Sequence, residues 1–283
     1  MAKWNRFPHT SADYSYDGEQ LLDSWPDLHQ GDCVEFPDAD WVEQVLDSAP
    51  DAAPESFDGD FSALAEIIQD AWRCFHSGDF EGAVSKSEQC GQLAHAAANK
   101  AEGIYATYLE PDESKQQAHY LAAIARAESA IEALPDDPNS HYFHAFNLGR
   151  YSQSISVVKA LSQGIGGKIQ TSLQNALELQ PEHAEAHTAM GMYNAEIIDK
   201  VGKMLGKVTY GASTPNALEH FDRALELTPE SPIAHMEYGN GLYLLFGDDR
   251  IDEVSDLYVK ASELQPKDAM EKLDVEAALA ELE

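Results

Sequence analysis

Four stretches of this chain end alike: SAIEALP at 129–135, NALELQP at 175–181, RALELTP at 223–229 and KASELQP at 260–266. Each carries an Ala, a short helical step to a Leu, and a Pro within two residues. A matching opener precedes the last three, as HAFNLGRY (144–151), HTAMGMYN (187–194) and HMEYGNGL (235–242). Opener, second helix and closing Pro recur at a spacing of about 35 to 50 residues, the footprint of stacked helical hairpins. A lone hairpin cannot bury its apolar face. Stacking neighbours buries it, and Pro ends each unit because it has no N–H with which to continue a helix.

The last three units align on their closing Pro. Pro181, Pro229 and Pro266 follow Leu173, Phe221 and Tyr258 by the same interval, and Ile169, Ala217 and Val254 stand one helical turn earlier. The openers contribute Gly149, Gly191 and Gly239, where the missing Cβ predicts close helix crossings. Asp268 is the expected N-cap of a terminal helix, 268–283, that closes the stack with a polar outer face. Upstream, Leu64, Ile67, Ile68, Ala71, Trp72 and Phe75 form one helical stripe. A turn at Ser77–Gly78–Asp79 follows, then helices at 101–109 and 114–134, with a break at Asp136–Asp137–Pro138–Asn139.

The expected fold class is therefore all-α: a right-handed superhelix of antiparallel helix pairs over 61–283, preceded by an arm over 1–60. The arm should hold short helices at 18–25 and 38–49, the second capped by Asp38 or Asp40, with Pro26, Pro37, Pro50 and Pro54 as punctuation. It also carries Trp4, Phe7, Tyr14, Tyr16, Trp25, Phe36, Trp41 and Phe57. A disordered acidic tail would be poor in aromatics. These rings either pack along the helical body or reach another protein or a neighbouring subunit, the last giving a homo-oligomer through the arm.

The net charge is −32, from 18 Lys and Arg against 50 Asp and Glu. Phosphate backbones would be repelled, which argues against a nucleic-acid partner. Salt adaptation is the plain account of the acidity, and docking of a basic protein the sharper one. The charge is uneven. Residues 8–72 contain no Lys or Arg, whereas residues 139–177 contain no acid but hold Arg150, Lys159 and Lys168. No run of 18 apolar residues predicts a stable membrane insertion, and the first 20 residues lack a secretory apolar core. The three cysteines, Cys33, Cys74 and Cys90, suit a reduced cytoplasmic protein better than a disulfide framework.

These residues resemble the tetratricopeptide (TPR) pattern, best at Ala217, Phe221, Ala224 and Pro229. A plain repeat leaves about a dozen residues between the opener's Gly and the next small residue. Here Gly149 to Ile169 and Gly191 to Ala217 are much longer, predicting two lengthened hairpins. The run KALSQGIGGKIQTSLQNALELQPEHAEAHTAMGMY, followed by GKMLGKVTYGASTPNALEHFDRALELTP, is similar to the TPR domain of the regulator of microtubule dynamics family. It is also similar to the TPR proteins associated with bacterial TRAP transporters. The resemblance implies extended helices around a pore or cavity able to take an apolar or amphipathic ligand.

Motifs that would carry chemistry fall short. Ser162–Gln163–Gly164–Ile165–Gly166–Gly167–Lys168 has Ser where a phosphate loop needs its first Gly, and Ile169 where it needs Ser or Thr. It reads as a Gly turn between helices, although the following helix start with Lys168 could hold an anion. His183 and His187, at i, i+4, could present two imidazoles to a metal, but no third ligand is evident and His187 occupies the large-residue slot of the opener. His141 and His144 read the same way. No catalytic residue, cofactor or metal is expected.

The lengthened hairpins are apolar on one side (Ile155, Val157, Val158, Leu161, Ile165 and Ile169; Ile197, Ile198, Val201, Met204, Leu205, Val208 and Tyr210) and carry Lys on the other. Packing on each other as extra core is their ordinary use. The functional alternative is a groove with apolar walls and a basic rim. The expected role is a non-enzymatic scaffold binding a protein or peptide partner in a concave groove of Asn147, Arg150, Lys168, Tyr193, Asn194, Lys203, Lys207, Tyr210, Tyr238 and Asn240. The alternative is a soluble carrier of a small amphipathic or hydrophobic ligand in a cavity formed by residues 150–215.

Overall fold

The computed structural model describes residues 3–9 and 14–283; Met1, Ala2 and Thr10–Asp13 of the predicted arm lie outside the described residues. Helices and turns account for the described chain, with no strand among the described residues. Two compact units form. One holds the described residues up to His29 together with Val34–Ser154, and the other holds Gln30–Cys33 with Ile155–Glu283.

The first unit contains α1 (Gln20–Leu28), α2 (Ala39–Ser48), α3 (Phe61–Ser77), α4 (Phe80–Ser87), α5 (His95–Tyr108), α6 (Glu113–Ala133) and α7 (Pro138–Gln153). Carboxylates start most of them. Asp38, Asp60, Asp79, Asp112 and Asp137 each accept a hydrogen bond from a first-turn amide, satisfying an orphan donor. The predicted turn at Gly78 is a left-handed residue (φ +86°) that ends α3 just before Asp79 caps α4. The stripe of α3 buries Leu64, Ile68, Ala71, Trp72 and Phe75.

One expectation is corrected here. Pro26 does not end α1, which runs through it to Leu28. The missing N–H would have bonded the Leu22 carbonyl, and Leu22 lies on the exposed side, where water can serve that oxygen.

The arm's rings pack within the first unit. Trp4 stacks on Tyr105 with centroids 4.1 Å apart, and Tyr16 meets the edge of His76. Trp25 is buried between His29 and Trp72, and its indole N–H donates to the Val34 carbonyl at 2.7 Å. Helix α5 brings polar groups inside. Arg126 donates to the Asn99 side-chain oxygen at 3.0 Å and to Glu102 at 2.9 Å, and His119 lies 2.9 Å from the other Glu102 oxygen.

The second unit contains α8 (Val157–Ser162), α9 (Ile165–Leu179), α10 (Ala184–Val201), α11 (Lys203–Tyr210), α12 (Thr214–Leu227), α13 (Pro232–Phe246), α14 (Ile251–Glu263) and α15 (Ala269–Glu281). Helix α10 packs on α9, α12 and α13, while α14 lies against both α13 and α15. Phe221 is the wedge between three of these helices. A Cβ on Gly191 of α10 would stand 2.7 Å from its ring, a Cβ on Gly241 of α13 would collide with it outright, and Tyr238 stacks on it at 4.8 Å. The opener glycines therefore behave differently from one another. Gly191 permits a close crossing as expected, Gly241 rather than Gly239 meets the Phe221 ring, and Gly149 has open space around it.

A second repeated device is spaced six residues apart. His141, His187 and His235 each place Nε2 on the carbonyl of the closing Pro before them, Pro135, Pro181 and Pro229, at 2.9, 3.1 and 2.9 Å. A carbonyl only accepts, so each Nε2 carries the proton. The fourth closing Pro, Pro266, has Lys272 in that position, and there α15 ends the stack.

Candidate functional site

The lengthening of the hairpins is made of two extra short helices. Helix α8 starts where the Ser156 hydroxyl accepts from the Lys159 amide, and it buries none of its residues. Helix α11 is set off by Gly202 (φ +83°) and ended by Gly211 (φ +65°), both left-handed positions. Val158 is 78% exposed, Met204 84% and Val208 81%; Leu161 and Leu205 are exposed as well. Their partners Ile165, Ile169 and Ile198 turn inward. The expectation that the two hairpins serve each other as extra core thus holds only for the inward set. Helices of six and eight residues offer too little surface to cover both of their sides.

Both short helices contact α9. Lys159, Lys168, Lys203 and Lys207 are exposed on these elements, and Lys168, Lys203 and Lys207 have no ion-pair partner among the described residues. Unpaired ammonium groups beside bare aliphatics are unusual in a chain carrying −32. Most of its other cations are matched, as Lys200 is by Glu196 at 3.0 Å.

A pocket of about 540 Å³ opens on the same helix. Its walls include Gln170, Gln174 and Glu178 of α9, Tyr193 of α10, and Asn216 and His220 of α12. Gln170, Gln174 and Glu178 stand at i, i+4 and i+8, so one side of α9 supplies them all. Hydrogen bonding fixes what the walls present. Gln170 Nε2 donates to the Tyr210 carbonyl at 2.7 Å, leaving Oε1 as an acceptor. Tyr193 is 6% exposed and its hydroxyl has no hydrogen-bond partner among the described residues. Burial, with Tyr210 nearby, pushes that hydroxyl well above the usual phenol range, so it stays protonated.

His220 is fixed by its neighbour. His187 Nε2–H is committed to Pro181, so its Nδ1 is a lone pair, and the 2.8 Å contact to His220 Nδ1 must be donated by His220. His220 Nε2 is then an unprotonated acceptor. Burial first, then the adjacent His187, lowers the His220 pKa from 6.5 to about 4. Burial likewise lowers His187. Between those values the unfolded chain binds a proton that the folded chain does not, so stability is held above pH 6.5 and falls as pH drops toward 4. Urea unfolding at pH 7 and pH 5 should show wild type losing about 1–2 kcal/mol more than His220→Gln, after discounting for partial exposure. Equal losses would mean that the pair titrates as it would in water.

The predicted groove residues divide between the two units. In the first unit, Asn147 is buried and donates to the Phe143 carbonyl at 3.0 Å, and Arg150 lies over the Phe146 ring. In the second, Tyr193 and Asn194 line the pocket, with the Asn194 amide tied to Met190 and Ser213. Lys168, Lys203 and Lys207 belong to the exposed face, and Tyr210 packs near Gly166 at the end of α11. Tyr238 donates to Asp222 at 2.8 Å, and Asn240 accepts from Tyr258, so both serve the packing around α13. Gln170, Gln174, Glu178 and His220 were not singled out by sequence; a polar helix side is too ordinary to flag them.

The motif readings resolve structurally. His183 caps α10, its Nδ1 accepting from the Ala186 amide at 3.1 Å, and no group of three or more metal-ligating residues occurs among the described residues. Of the glycines in 164–167, Gly164 alone forms the turn (φ +65°); Gly166 and Gly167 are already in the first turn of α9.

Stacked helical hairpins closed by Pro define a helical-repeat protein of the tetratricopeptide type. The crystal structure of a thermophilic TPR protein from Thermus thermophilus is similar in fold, with a TM-score of 0.54 over 77% of this chain and 99% of that one, at 16% identity. The family model described as "Regulator of microtubule dynamics protein 1-3" matches residues 81–269, more than half of the chain, and the protein belongs to that family. Regulator of microtubule dynamics protein 3 of Rattus norvegicus is 26% identical over 129 residues, which is 44% of this chain and 27% of that relative. The match spans about a quarter of that relative's length.

Proposed function

We propose that this protein is a non-enzymatic helical-repeat module that docks a protein partner on the face built by α8, the start of α9, and α11. The observation that carries this reading is the coincidence of bare aliphatic side chains, Val158, Met204 and Val208, with the unpaired Lys168, Lys203 and Lys207. Exposed apolar surface beside charge of one sign calls for a partner segment with aliphatic anchors and acidic flanks. The free state of all three cysteines supports a reducing compartment such as the cytoplasm. No helix among the described residues is long and apolar enough to cross a membrane.

Affinity capture from native lysate, compared between wild type and two double variants, tests the assignment. Lys168→Glu with Lys203→Glu should weaken recovery of the specific partner by about tenfold or more, by reversing charge at the rim. Met204→Asp with Val208→Asp should do the same through lost apolar contact, and neither should alter the helical circular dichroism signal. Cross-links from the captured partner should map to α8 and α11. Equal recovery by wild type and both variants would remove this face from the account.

The same lysines and aliphatics would also suit an anionic amphiphile, which supports a second reading as a carrier. Native mass spectrometry separates the two. A co-purifying small molecule lost from the Lys168→Glu, Lys203→Glu variant favours the carrier, and a bare protein favours the scaffold.

A further inference from the structure

The pocket between α9, α10 and α12 has a chemistry of its own. Its lining residues carry acceptors: Gln170 Oε1, freed because Nε2 serves the Tyr210 carbonyl, and His220 Nε2, freed because Nδ1–H serves His187. The Tyr193 oxygen, buried and unpartnered, adds a third. Glu178, which has no ion-pair partner among the described residues, adds a carboxylate at the rim. No Lys or Arg is among the pocket walls. An anion would therefore meet lone pairs and a carboxylate with no compensating cation. An apolar ligand would leave the Tyr193 hydroxyl and two acceptors unpaired, at the full cost of burying them.

We propose that this pocket binds a primary ammonium group, its three N–H donors shared among His220 Nε2, Gln170 Oε1 and the Tyr193 oxygen, with Glu178 as counter-charge. The arrangement gives each of the three N–H donors one lone pair. A neutral imidazole here accepts without competing for charge, and the low pKa of His220 keeps it neutral at physiological pH. The protein's large negative charge raises the local concentration of cations around every such site. A free alkylamine and the side chain of a partner's lysine present the same chemistry, and the site does not depend on the docking face formed by α8 and α11.

The test uses the full chain with ¹⁵N-labelled histidine, following the His220 Nε2 resonance by NMR. Four probes are titrated: pentylamine, 1-pentanol, tetramethylammonium chloride, and Nα-acetyl-lysine amide. Pentylamine is expected to give a saturable shift at millimolar concentration, while pentanol (no charge) and tetramethylammonium (no N–H donor) give none. A tighter response to Nα-acetyl-lysine amide than to pentylamine identifies a lysine side chain as the occupant, and the reverse identifies a free amine. Tyr193→Phe, which keeps the ring, should weaken pentylamine about tenfold. Glu178→Gln should weaken it and flatten its salt dependence. The proposal is overturned if pentylamine produces no saturable shift in a folded protein, if either control matches it, or if both variants bind it as wild type does.

Discussion

Phe221→Ala is expected to lower the stability of the second unit by about 3–5 kcal/mol. The ring is 1% exposed and sits where two glycines have been vacated for it, so truncation leaves a void that those glycines have no side chains to fill. Tyr238 loses its stacking partner as well. Hydrogen exchange read by mass spectrometry should show faster exchange across α10, α12 and α13, with first-unit peptides unchanged. Phe221→Leu, which refills much of the volume, should recover most of the loss. If Phe221→Ala leaves exchange in those helices unchanged, the wedge is not what joins them.

Arg126→Leu is the second large effect, expected at about 3–5 kcal/mol in the first unit. The guanidinium holds the side-chain oxygens of Asn99 and Glu102, and the Glu102 side chain is 7% exposed. Removing the cation leaves a buried carboxylate with His119 as its remaining ring partner. The double variant Arg126→Leu, Glu102→Leu should be more stable than the single, since replacing both partners by apolar groups removes the charge as well as its counter-ion. Urea unfolding monitored through the first unit's Trp25 and Trp72 reports it. A single variant costing less than about 1 kcal/mol would class the pair with ordinary solvated ion pairs.

The repeat architecture was legible because it is written in local chemistry. Closing prolines and capping aspartates act within a turn or two of themselves, and the recurring Ala and large-residue slots repeat at a fixed interval before each Pro. The lengthened hairpins could be seen from the excess of residues between Gly149 and Ile169 and between Gly191 and Ala217. Their outward aspect could not, because amphipathic spacing says which residues share a side and not whether anything covers it. Tyr193 and Asn194 were anticipated as site residues, but the pocket's remaining chemistry depends on pairs far apart in the chain. His187 and His220 are separated by 33 positions and Gln170 and Tyr210 by 40, and nothing in the sequence marks either pairing. The hydrogen bonds of Tyr238 and Asn240 were hidden for a similar reason, since Asp222 and Tyr258 reach them from neighbouring helices.

The three histidine-to-proline latches carry a consequence for life in acid. An imidazole keeps its Nε2 proton on becoming imidazolium, and a carbonyl does not titrate in that range. The hydrogen bond of each latch thus outlasts protonation of its ring, although burial holds the His187 and His235 imidazoles neutral to lower pH than in water, in a molecule whose fifty carboxylates would be discharging all around them.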